Sequence, residues 1–257
     1  MRNVFIIAAR DFKMYRTSMV MYLVCFIFYL LSGYLFYAKI ASISMASMNA
    51  LSQPQMYAQL NFSAIFIPSL YMDIAGLFLI MVPMITMRSF SEEKKNGTYE
   101  LLVSYPITDW EIVAGKFLSV FYFLLCLTSV ILFQGIMARL IGGQIEWGPM
   151  LLGFLGLNLL GVSFLAVGLF ASSLTENQVV AAFLSFGLLL LFWVLGWMSE
   201  MTMGWGAAFL KHASIFSHSE NFYKGIFSTQ DILFFVLFVG FFFFATLRVM
   251  ELRRWQR

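Results

Sequence analysis

Long apolar runs separated by short polar stretches dominate the chain. A helix needs about 20 apolar residues to cross a membrane. Runs of that kind occupy residues 19–38, 63–87, 117–138, 149–171, 179–198 and 232–248, the last extended by Arg248 snorkelling to the interface. Residues 1–17 differ. Val4, Ile7, Ala8, Asp11 and Tyr15 recur at helical spacing, and Arg2, Arg10, Lys13 and Arg16 supply positive charge. That pattern predicts an amphipathic helix lying at the membrane interface, its cations among anionic headgroups. The expected fold is an all-α integral membrane protein. Its one transmembrane domain, 1–257, has six transmembrane helices preceded by an amphipathic interfacial helix.

The connections are uneven. Residues 39–62 are rich in Ser, Met, Gln and Asn and read as a polar loop, and residues 139–148 read as a short turn. Residues 199–231 form a long segment before the last span, with aromatics suited to a headgroup interface. His212 and His218 lie in it without metal-ligand spacing, so hydrogen bonding is the expected role and no metal site is expected. Residues 172–178 form a tight turn in which Thr175-x-x-Gln178 has capping-box spacing and Glu176 is the one charge. The turn reads equally as a plain helix connection and as a minor contact for a partner.

The most polar connection runs from Arg88 to Lys116 and holds nine of the chain's 29 charged residues. Ser89-x-x-Glu92 and Thr108-x-x-Glu111 have capping-box spacing, and Asn96-Gly97 reads as a helix stop. Thr98 can cap a second short turn through Glu100, which Pro106 would end. Short capped helices carrying both signs of charge, tied to the membrane at each end, suit a docking surface better than a catalytic site. The candidate docking residues are Arg88, Glu92, Glu93, Lys94, Lys95, Gly97, Thr98 and Glu100.

Composition narrows the class. The chain is 61% hydrophobic and 11% charged, against about 25% charged in soluble domains. A net charge of +3 gives a nucleic-acid role no electrostatic support. Cys25 and Cys126 lie within apolar runs and read as packing residues. The first apolar run is too long for a cleavable signal peptide and reads as a span. Twelve basic residues fall on the side of the termini and the Arg88 connection, and four on the other side. The positive-inside rule makes both termini cytoplasmic.

The motif Arg88-Ser-Phe-x-Glu-Glu-Lys-Lys-x-Gly-Thr-x-Glu-Leu-Leu, followed by Pro106 and Asp109-Trp-Glu-Ile-Val-x-Gly-Lys116, resembles the first cytoplasmic loop of ABC-2-type transporter permeases. The likeness extends to Ser172-Ser-Leu-Thr-Glu-Asn-Gln178 and to the ending from Leu247 to Trp255, and is greatest to the gliding-motility-associated GldF-type subgroup. Arg16-Thr-Ser-Met19 departs from the small residue and proline of many relatives. The resemblance implies that residues 89–105 hold a coupling helix docked on a separate ATPase pair, which carries ATP and Mg, with no cofactor on this chain. It also implies a second permease chain, identical or related, an elbow helix at the N-terminus and a bacterial inner-membrane location.

Chemistry on the chain itself is sparse. No Walker A, HExxH, GxSxG or paired-cysteine motif occurs, so the chain is not expected to be an enzyme. Asp73 is the one acid within a span and reads as lying toward its outer end; Asp73 and Asn158 are the candidate substrate-path residues. Gln134 and Asn158 can hydrogen-bond between helices, and the small residues Gly153, Gly156, Gly161, Ser163 and Gly168 mark a packing face within or between subunits. The expected function is the permease subunit of an ATP-driven transporter, an exporter; the nearly uncharged interior disfavours small ions and permits lipid-like, glycan-linked or peptide cargo. Two alternatives stay open. One is a non-transporting transducer that drives an extracytoplasmic accessory protein. The other is a secondary carrier with its site near Asp73.

Overall fold

A computed structural model describes residues 2–50, 62–100, 105–201, 206 and 212–255. Among them the helices are α1 (Arg2–Thr17), α2 (Met19–Ala50), α3 (Phe62–Thr86), α4 (Arg88–Lys95), α5 (Asp109–Leu140), α6 (Trp147–Leu174), α7 (Gln178–Met201), α8 (Ile215–Tyr223) and α9 (Thr229–Trp255). Helices α2, α3, α5, α6, α7 and α9 are long and apolar enough to span a membrane. The expected all-α fold with six such helices is present.

The spans differ in how far they are buried. About 56% of the most apolar stretch of α3 and 61% of that of α6 lie inside the bundle, against 22% for α2 and 17% for α7 and α9. Helices α3 and α6 are therefore the central pair, and α2, α5, α7 and α9 surround them. Glycine makes this closeness possible. A β-carbon on Gly168 would overlap the Thr86 side chain, and one on Gly156 would overlap Phe222. The glycines of α6 thus face α3, α5 and α8 of the same chain, which places that packing face within the subunit. Interhelical polar contacts add to it. Thr128 Oγ1 donates to Asn158 Oδ1 at 3.1 Å, and Gln134 Nε2 donates to Ser32 Oγ at 2.8 Å.

Several local readings change. Helix α2 continues to Ala50, so the first half of the stretch read as a polar loop is helical; polar residues there extend a helix already nucleated by the span. Residues 51–61 of that loop, like Leu101, Trp205 and Lys211, lie outside the described residues, and Phe62 begins α3. Ser89 caps nothing: α3 breaks for one residue at Met87 and resumes as α4, and Met87 keeps helical dihedrals without a side-chain cap. Met87 N–H still bonds Pro83 O at 2.9 Å, so the chain bends without uncoiling. At the α6–α7 turn, Asn177 Oδ1 accepts from Val179 N–H at 2.9 Å; Asn177, not Thr175, heads α7. Thr108 and Glu111 do form a reciprocal capping box at the start of α5, and Gly97 takes the positive φ of 70° that its stop position requires.

Helix α1 packs in step along the first turns of α5. Asn3 Nδ2 donates to Glu111 Oε1, 108 residues on, and Ile7 against Gly115 and Tyr15 against Phe123 keep that offset. A constant offset means the two helices run parallel. The face turned to α5 is Ile7, Ala8, Asp11 and Tyr15, the stripe picked out by helical spacing. Phe5 and Ile6 face outward beside Arg2 and Lys13.

Candidate functional site

One end of the bundle gathers α1, α4, the start of α5 and the α6–α7 turn. Its centre is Lys116, which has no exposed surface. The ammonium lies 3.1 Å from Asp11 Oδ2 and 2.8 Å from Glu93 Oε2, and donates to Ser89 O at 2.6 Å. The ammonium thus has two carboxylates and a carbonyl around it, which is what a buried lysine needs. Arg10 Nη2 reaches Glu93 Oε1 at 2.7 Å, and its guanidinium also pairs with Asp11. Burial by itself would lower the Arg10 pKa, but Asp11 and Glu93 outweigh it and hold it above its ordinary value. The four side chains carry two positive and two negative charges, so the cluster is neutral, with Arg10 at its half-exposed edge. Beside it, Tyr15 Oη and Ser89 Oγ lie 2.9 Å apart, and burial pushes the Tyr15 phenol pKa up.

A second set of bonds fastens α4 to the last turn of α6, which runs to Leu174 into the stretch read as a turn. Ser172 Oγ accepts from Phe90 N–H at 3.1 Å and Ser91 N–H at 3.2 Å, and donates to Met87 O at 3.0 Å. These are the orphan donors of a helix start that lacks its own cap. Lys94 Nζ donates to Ser173 O and lies over the Tyr99 ring. Arg88 reaches back to Ser18 Oγ at 2.7 Å and lies 3.9 Å from Glu92. The connection and the turn, far apart in sequence, thus form one surface. A cleft of about 320 Å³ opens between them, lined by Lys95, Glu176, Asn177, Gln178 and Val179.

The candidate residues therefore divide. Lys95, Gly97, Thr98, Glu100, Glu176 and the edge of Thr175 face outward. Glu93 faces inward, because Lys116 and Arg10 hold it, and Lys94 bends onto the turn. Thr98 Oγ1 donates to Glu93 O at 3.3 Å and closes the end of α4. Lys116 and Asp11 carry the centre of the site, although neither stood among the candidates. The available signal was Asp11 itself, a carboxylate on the apolar stripe of an amphipathic helix, which calls for a buried cation.

The other two candidates lie apart from this end. Asp73 stands near the middle of α3, and Lys39 Nζ of α2 reaches Asp73 Oδ2 at 2.8 Å. Asn158 is buried and engaged with Thr128 and Phe154 O. In the last connection, His218 Nδ1 meets Asp231 Oδ1 at 2.5 Å, and Asn221 Nδ2 donates to Asp231 Oδ2 at 2.8 Å. These bonds tie α8 to the start of α9. Among the described residues no three His, Cys, Asp or Glu side chains gather as a metal site.

No match to the chain was found among curated proteins. A family model does match it, that of the ABC-2 family transporter proteins, over residues 5–242. This family supplies the membrane component of ABC transporters, with the ATPase on a partner. With nearly its whole length matched, this six-span chain belongs to the ABC-2 transporter family.

Proposed function

We propose that the chain is a permease subunit that an ATPase pair drives through the surface made by α4 and the α6–α7 turn. The observation that carries this reading is the fastening of α4 at both ends. Through Met87 it continues α3, and through Ser172 and Lys94 it holds the last turn of α6, next to the connection to α7. A force on α4 reaches the central pair of spans without crossing a flexible link. The outward residues Lys95, Thr98, Glu100 and Glu176 make the contact, and Glu92 flanks it. On this reading the α4 end is cytoplasmic, α1 lies at the inner-membrane interface with Phe5 and Ile6 toward lipid, and ATP and Mg stay on the ATPase.

A second permease chain, identical or related, completes the transporter, and export is the direction proposed. The carrier reading weakens, because Lys39 already neutralises the Asp73 carboxylate that would have to take up the coupling ion. An accessory protein on the opposite face remains compatible with the same coupling surface, as does membership of the gliding-motility-associated subgroup.

The test is purification of the tagged chain in mild detergent with ATPase activity measured on the eluate. Wild type should bring down an ATPase. Lys95→Glu combined with Glu176→Lys should lose it at unchanged membrane levels. Full retention by that variant would refute the docking surface.

A further inference from the structure

His218 and Asp231, which tie α8 to the start of α9, sit at the end of the bundle opposite Lys116. Trp110, at the head of α5, packs on Phe243, well along α9 from Asp231, so the start of α9 points away from the Lys116 end. Both ring nitrogens of His218 face acceptors. Nδ1 lies 2.5 Å from Asp231 Oδ1, and Nε2 lies 3.1 Å from the main-chain oxygen of His212. A neutral imidazole has one N–H and one lone pair, so it satisfies only one of the two; a doubly protonated ring donates to both. The surroundings suit that cation. Asn221 Nδ2 donates to the other carboxylate oxygen at 2.8 Å, so Asp231 is an acceptor at both oxygens. The Phe234 ring stacks on His218 with centroids 4.0 Å apart, a placement that favours a charged ring. The side chains of His218 and Asp231 are only 12% and 6% exposed, so water does not freely replace these bonds.

We propose that His218 is a proton-operated latch that closes the entry to α8 while its ring carries both protons and releases it when one leaves. The proton that leaves is the one on Nε2, because the Nδ1 proton faces a carboxylate. The bared lone pair then faces the His212 oxygen, and two acceptors cannot bond. Residue 212 comes free of α8, while Asp231 stays bound to Nδ1. The latch is therefore whole at low pH and is lost as pH rises. Among the described residues, the other ionisable groups on the elements around α8 are engaged or remote. Glu220 pairs with Lys224 on the exposed side of α8, Tyr71 of α3 donates to Met150 O, and Lys39 holds Asp73. Helix α6 has no ionisable residue, and α7 has none up to Ser199. The His212 ring, its centroid 6.2 Å from that of His218, is the one neighbour that the test must separate. On the coupling reading above, this end faces away from the ATPase, so the latch answers the pH of the opposite compartment.

Amide exchange of the full chain in detergent tests this, with each rate divided by the chemical rate at its pH. From about pH 5 to about pH 8, where histidine changes charge, wild type should lose protection several-fold at residues 212–218 while the spans stay constant. His212→Gln keeps the main-chain oxygen that Nε2 meets and should respond as wild type does. His218→Gln should give no response to pH. If that variant fails to reach the membrane, Asp231→Asn removes the anion that favours the cation and should move the response to lower pH. A wild type without a response overturns the latch. So does a response that persists in His218→Gln or stays in place in Asp231→Asn. A response that vanishes in His212→Gln also overturns it, by putting the titrating group at residue 212. These readouts need no ATPase, so failure of the latch and failure of the coupling reading are told apart.

Discussion

Lys116 and Asp11 lie 3.1 Å apart, from α5 and α1, and each is closed to solvent. The same ammonium serves Glu93, so the two carboxylates share it, with Arg10 pairing both from the half-exposed side. Lys116→Met should therefore cost about 3–5 kcal/mol, since it leaves buried carboxylates short of a partner. Asp11→Asn should cost clearly less, because Lys116 keeps Glu93 and Ser89. Thermal unfolding in detergent gives the ranking; equal losses would mean that the lysine is not shared. Burial also predicts that neither loss shrinks with added salt, as it would for an exposed pair.

Ser172→Ala removes one hydroxyl and strands two buried amides, those of Phe90 and Ser91. An unsatisfied buried donor costs about 1–3 kcal/mol. The loss should be local. Amide exchange across the first turn of α4 should accelerate while the spans stay protected. Unchanged protection there would show that Ser172 does not cap α4.

Much of this arrangement was legible in the chain. Six apolar runs specify six spans because lipid leaves a crossing chain no other way to satisfy its backbone. The stripe Ile7, Ala8, Asp11 and Tyr15 was readable from spacing alone. What was not readable is which way each charge of the Arg88 connection turns. Glu92 and Glu93 are neighbours with identical chemistry, yet Glu93 points at Lys116 and Glu92 does not. That choice depends on α1 and α5 arriving from elsewhere in the chain. The Ser89 cap failed for a related reason: Ser89 lies inside α4, which starts at Arg88 directly after α3, and Ser172 takes the free amides of that start from another helix.

Gly168 and Thr86 should be exchangeable as a pair. Gly168→Ala puts a methyl into the Thr86 side chain and should cost about 1–3 kcal/mol by overpacking. Thr86→Gly clears that space, since the Thr86 Cβ alone would lie 2.7 Å from the new methyl. The double variant should recover most of the loss, a coupling that a double-mutant cycle measures in detergent. No recovery would place the strain elsewhere on the α3–α6 contact.

Glu93 should behave unlike its neighbours in the co-purification assay. Lys95→Glu acts on an outward side chain and should reduce ATPase recovery without lowering thermal stability. Glu93→Gln should lower stability first, because Lys116 and Arg10 both lose an anionic partner. A variant that binds the ATPase normally but melts early would confirm the inward role. One that melts normally and loses the ATPase would return Glu93 to the docking surface.

Lys39 and Asp73 offer the sharpest test of charge inside the spans. Their ion pair lies near the middle of α3, and both side chains are partly exposed on the single chain, 26% and 33%. A charge at the centre of a bilayer costs about 2.5–3.5 kcal/mol on insertion scales, and an ion pair escapes much of that only while both partners remain. Lys39→Met should thus lower membrane yield more than Lys39→Met with Asp73→Asn, which removes both charges. Asp73→Asn alone should fall between them, since a lysine at residue 39 can snorkel to the headgroups and an aspartate cannot. If the double variant is the worst of the three, the charges are needed for themselves and not for each other. The carrier reading would then regain its footing. Equal yields for all three would mean that the pair faces water in the assembled protein, where neither charge carries a penalty.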